Sequence, residues 1–119
     1  MLDQIEEALK AAFDLPVYYG TSAEASGSAV YDYIVFWRDR ATWKSGSKGD
    51  YTNHYTVALV RQNFIPEEET LTVIDALRDI PGLRETGDGI TYSYLTKPGT
   101  ALALEVAEYH FFEAKKRVS

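Results

Sequence analysis

Two stretches of this chain alternate with a period of two and carry large side chains on both parities, which restricts the folds open to it. In residues 31–37, Tyr31, Tyr33, Val35 and Trp37 share one face while Asp32, Ile34 and Phe36 take the other. In residues 51–60, Tyr51, Asn53, Tyr55, Val57 and Leu59 alternate with Thr52, His54, Thr56, Ala58 and Val60. Successive strand side chains point to opposite faces, so this pattern predicts strands with apolar cover on both sides, the first of them interior and the two paired antiparallel. Residues 38–50 join them. A tight hairpin needs only a few residues, and this connection holds four of the twelve basic residues, Arg38, Arg40, Lys44 and Lys48, with Trp43 in its middle. A long hairpin loop of this kind is either a flexible excursion or a surface element that becomes ordered against a partner.

The rest of the chain supplies helices and further strands. Leu2, Ile5, Leu9, Ala12 and Phe13 recur at helical spacing, and Pro16 stops that helix. Residues 17–29 are small and polar and read as a loop or a short extended piece. Pro66 followed by Glu67, Glu68 and Glu69 opens a second helix, with Leu71, Ile74, Leu77 and Ile80 as its buried stripe and Pro81 and Gly82 as its end. A turn at Gly87, Asp88 and Gly89 precedes a third strand containing Ile90, Tyr92 and Tyr94, and Pro98 and Gly99 turn the chain towards a fourth strand from Leu102. In that strand Leu102, Leu104 and Val106 keep one parity and Ala107, Tyr109 and Phe111 the other, so either a β-bulge near Val106 or cover on both faces is required. The expectation is a single α+β domain over residues 1–119: about four strands in a mostly antiparallel or mixed sheet, packed against two or three helices.

Composition narrows the chemistry. A formal net charge of −6 is wrong for a general nucleic-acid binder, whose phosphate contacts need a concentrated basic face. No cysteine is present, which removes disulfides and thiolate metal sites, and no stretch approaches the roughly 20 apolar residues of a membrane span. The first residues are acidic and amphipathic and do not resemble a signal peptide, so synthesis in the cytoplasm is expected. Ser26 and Ser28 lack the nucleophile-elbow pattern, and His54 and His110 sit in strand patterns without ligand spacing. The glutamate run points in several directions on its helix, and the helix dipole accounts for it. Gly46, Ser47, Lys48 and Gly49 lack the upstream glycine of a phosphate-binding loop. No catalytic, cofactor-binding or metal-binding set is predicted. The cluster at Arg38, Arg40, Lys44 and Lys48 with Trp43 reads instead as an assembly contact, and Lys115, Lys116 and Arg117 add a basic end to the chain.

The order of these parts resembles the small tail-terminator, or tail-completion, proteins of long-tailed bacteriophages and prophages. The parts that carry it are the first helix, the aromatic strand pair with its basic loop, the helix closed by Ile80, Pro81, Gly82 and Leu83, the strand after it, and the final strand from Val106 into Lys115 and Lys116. The resemblance covers about residues 2–116. It implies a structural, non-enzymatic virion protein that forms a homo-hexameric ring on the tail tube, stops tube polymerisation and offers a head-joining surface to the head–tail connector. Its implied partners are itself, the tail-tube protein and the connector, with DNA only passing through the lumen, no membrane and no cofactor. Its implied place is the virion tail, after assembly in the host cytoplasm. Residues 38–50 become the implied assembly loop. Two other readings stay open: a head-side adaptor or stopper, and a small ligand-binding domain with Tyr33, Trp37, Tyr55 and Tyr92 lining a pocket.

Overall fold

The computed structural model describes residues 1–20, 32–43, 49–96 and 103–116. Lys44, Lys48, Arg117, the serine-rich run at 22–29 and the expected turn at Pro98 and Gly99 lie outside the described residues. In chain order the elements are α1 (Leu2–Ala12), β1 (Val17–Tyr19), β2 (Tyr33–Trp43), β3 (Tyr51–Gln62), α2 (Glu67–Arg78), β4 (Leu83–Glu85), β5 (Thr91–Thr96) and β6 (Ala103–Lys115). The architecture is α+β with two helices and one mixed six-stranded sheet in the order β1-β2-β3-β6-β4, with β5 also on β6. The strands expected at 31–37, 51–60, 90–94 and from 102 are β2, β3, β5 and β6. The two further strands, β1 and β4, have only three residues each, too few for any periodic pattern to announce them.

β2 is interior, with β1 parallel on one side and β3 antiparallel on the other. β3 also pairs antiparallel with β6 in unbroken register from Tyr51 opposite Lys115 to Gln62 opposite Leu104. That register decides the β6 alternative. β6 has no bulge at Val106 and Ala107. Its two parities are both buried because each face of the sheet has its own apolar cluster. Ala107, Tyr109 and Phe111 join Ile34, Phe36, Val57 and Leu59 under the helices, while Leu104 and Val106 join Val35, Ala58 and Val60 on the opposite face. The irregularity lies in β2 instead, where Arg38 pairs with Tyr55 and Arg40 with His54, leaving Asp39 as an extra residue.

The glycine turn at 87–89 does not reverse the chain. β4 pairs with residues 113 to 111 of β6 and β5 with residues 108 to 103, so the two strands run the same way along one side of β6. The Thr86 N–H donates to the His110 carbonyl at 3.1 Å, and Gly87 and Gly89, at φ +83° and +84°, take the left-handed backbone that lets the intervening residues loop out.

Ile5 and Leu9 of α1 and Val73 and Leu77 of α2 press onto the sheet. The stripe expected on α2 is rotated: Leu71 is 57% exposed, and the buried positions are Thr70, Val73 and Leu77. Thr70 holds a core position because a partner for its hydroxyl arrives from the sheet, where the Tyr109 hydroxyl donates to Thr70 Oγ1 at 3.4 Å. Pro66 is the N-cap, one place before the first helical residue.

Candidate functional site

Element lengths create the site. β3 has twelve residues, roughly 40 Å at ~3.3 Å each, whereas α1 and α2, with eleven and twelve, are each under about 20 Å long at ~1.5 Å per residue. The helices back one half of the sheet. Beyond it, residues 38–43 of β2, 51–54 of β3 and 112–115 of β6 continue as an arm, flanked by β4 only at Phe112 and Glu113. This corrects the expected loop: residues 38–43 are strand, and the hairpin continues as ladder to Trp43 opposite Tyr51. The pairing was hidden because Asp39 and Ala41 are poor strand formers and the bulge at Asp39 breaks the alternation.

On the helix side of the arm, the Trp43 ring, 59% exposed, packs on Tyr51 with centroids 4.6 Å apart. Arg38, Trp43, Tyr51 and Asn53 bound a shallow groove of about 400 Å³. Lys115 faces Tyr51 across the β3–β6 ladder, and Lys116 follows it, exposed. Arg38, Arg40, Trp43, Lys115 and Lys116 therefore share one end of the molecule. Tyr51, Asn53 and Glu113 are the members that sequence reasoning missed. Tyr51 read as a strand start, and only the register sets it against Trp43.

Glu113 is buried at the root of the arm, where the Tyr55 hydroxyl donates to its Oε1 at 3.3 Å and Lys115 Nζ stands 3.3 Å from its Oε2. Burial, with the Glu113 charge and hydrogen bond behind it, pushes the Tyr55 phenol up to about 12. Lys115 is thus partly engaged within its own chain, which leaves Arg38, Arg40 and Lys116 as the more available cations.

The opposite face of the arm is tied by side-chain hydrogen bonds. The buried Thr56 hydroxyl donates to Asp39 Oδ2, and Thr56 Oγ1 lies 3.1 Å from His110 Nδ1, a chain that crosses all three strands and anchors the bulge. Thr42 Oγ1 stands 3.1 Å from His54 Nε2. These contacts make both histidines cross-strand ties. Among the described residues no three His, Asp or Glu side chains are placed to hold a metal ion, and no helix is long and apolar enough to cross a membrane. The proposed aromatic pocket is not assembled: Tyr55 lies in the helix-side core, while Tyr33 and Trp37 pack on the other face.

Charge is also uneven along the sequence. Residues 38–54 and 111–117 contain seven of the twelve basic residues but three of the eighteen acidic ones, a net +4. The remainder holds five basic and fifteen acidic residues, a net −10. No protein-family model matches the chain, and no curated protein matches it in sequence.

Proposed function

We propose that the chain is a structural virion assembly protein of the tail-terminator type, a homo-hexameric ring that caps the tail tube of a long-tailed bacteriophage. In this reading it ends tube polymerisation and presents the head-joining surface to the connector, in the virion tail after assembly in the host cytoplasm. The observation that carries it is the arm: an extension of the sheet that carries Arg38, Arg40, Lys115 and Lys116 and is tipped by Trp43 on Tyr51, backed by no helix among the described residues, on an acidic body. Exposed tryptophan and tyrosine beside arginine is the composition of interface hot spots. Charge of opposite sign on arm and body favours contact between copies, and an acidic ring lets DNA pass without holding it.

Light scattering coupled to size exclusion, with and without tail-tube protein, tests the reading, followed by imaging for rings. Assembly in either condition is expected, and a stable monomer in both sinks it. Copurification with the connector in preference to the tube moves the protein to the head side. The triple variant Trp43→Ala, Lys44→Ala, Lys48→Ala is expected to stay folded and to associate at least about tenfold more weakly. Unchanged association removes the arm from the mechanism.

A further inference from the structure

Among the described residues the sheet ends in two open edges on opposite sides. On the first, β1 covers only Ile34, Val35 and Phe36 of β2, and the Gly20 N–H closes on the Phe36 carbonyl at 2.8 Å. Among the described residues nothing pairs with residues 37–43 along that side. On the second, β5 pairs with β6 and, among the described residues, with nothing else. All six β5 residues are exposed, Tyr94 at 66% and Leu95 at 53%, and none is charged or proline. Natural edge strands are ordinarily blunted by lysine, proline or a bulge, and an uncharged apolar edge is a template for strand addition.

Direction and charge identify the occupant. β2 is antiparallel to β3, β3 to β6 and β6 to β5, so β5 runs opposite to β2. Copies arranged in the same sense around an axis therefore bring β5 of one against β2 of the next as an antiparallel pair, the pairing that tolerates solvent on one face. β5 lies beside an acidic strip, with Asp88 just before it and Glu105 and Glu108 of β6 opposite Tyr94 and Thr91. The β2 edge carries Arg38 and Arg40.

We propose that the outer edge of β2 beyond the bulge, residues 40–43, adds to the β5 edge of a second copy and makes a head-to-tail sheet joint. This rests on the self-assembling reading above and names the contact that reading needs. Because the two edges differ, each copy retains one free edge after joining, and the contact repeats until it closes. Because residues 40–43 lie at the arm end and β5 at the helix-backed end, neighbours are staggered along the strands. Closing a sheet on itself requires such a stagger, with tilted strands.

The absence of cysteine permits a direct test. Thr42 and Ser93 are both exposed and share the helix-free face. With Thr42→Cys and Ser93→Cys in one chain, a short bismaleimide cross-linker is expected to give a ladder of covalent oligomers on a denaturing gel. The two single variants mixed are expected to stop at dimer, and Asp75→Cys with Ser93→Cys is expected to give no ladder. Leu95→Lys and Arg40→Glu, both at exposed positions, are each expected to weaken association about tenfold, with circular dichroism unchanged. If the wild type assembles but the Thr42→Cys, Ser93→Cys double variant gives no ladder, or if Ser93→Cys alone links as a dimer, the joint is overturned while the ring reading stands. A wild type that stays monomeric with and without tail-tube protein overturns both. Should Leu95→Lys disturb the fold, the cross-linking result decides alone.

Discussion

β3 passes through two environments in one continuous strand. From residue 55 to 60 every side chain is buried, and from 51 to 54 every one is half-exposed, although β2 and β6 flank both halves in the same ladder. Backbone pairing is therefore alike in the two halves, and cover makes the difference: the helix-side core buries Tyr55, Val57 and Leu59, and the opposite cluster with Tyr18, Tyr33 and Trp37 buries Ala58 and Val60. The helix-backed half stabilises the fold by removing Tyr109, Phe36 and Phe111 from water, at about 1.5–3 kcal/mol for each such side chain. The arm keeps equally large rings at its surface, where their area remains available to a partner.

Mutations should divide along that boundary. Phe36→Ala, in the helix-backed half, is expected to lose about 3–5 kcal/mol in denaturant unfolding, since it removes a fully buried ring and leaves a cavity. A loss under about 1 kcal/mol would erase the distinction between the halves. At the boundary itself, Tyr55→Phe removes the donor to Glu113 and is expected to lose about 1 kcal/mol, Lys115 remaining to satisfy the carboxylate. Trp43→Ala, at the tip of the arm, is expected to change unfolding free energy by no more than about 0.5 kcal/mol while weakening association.

Alkaline titration sharpens the same line. Burial pushes Tyr109 as well as Tyr55 up to about 12, from an ordinary value of 10.0, with the Glu69 and Glu105 charges adding to the effect at Tyr109. The folded state keeps these protons where the unfolded chain releases them. Their contribution is therefore fully present below pH 10 and is lost as pH rises through about 12. The melting temperature should fall across that window, and less steeply in Tyr109→Phe. The same slope in wild type and variant would remove Tyr109 as a source of the effect.

The fold was legible where periodicity was long enough to read. β3 and β6, with twelve and thirteen residues, the first part of β2 as far as Trp37, and both helices follow from alternation and helical spacing. β1 and β4 do not, because three residues hold no period and their pairing is decided by the strands beside them. Thr70 and Leu71 exchanged their expected places because a hydroxyl offered by Tyr109, 39 residues further along the chain, satisfies the threonine in the core. The site was legible in part. Arg38, Arg40, Trp43 and Lys115 were marked by charge and exposure-prone composition, whereas Tyr51 and Glu113 join them only through register.

The sequence by itself determined an α+β chain with strand-forming aromatic segments, an acidic balance and a basic stretch around Trp43, because composition and local period act over a few residues at a time. Only the tertiary structure decided that residues 38–43 are ladder and not loop, that the ends of β2, β3 and β6 extend past the helices as one arm, and that among the described residues β5 and the β2 arm are open on opposite sides. Those outcomes depend on pairing between residues far apart in the chain and on strands being longer per residue than helices, which no local pattern records.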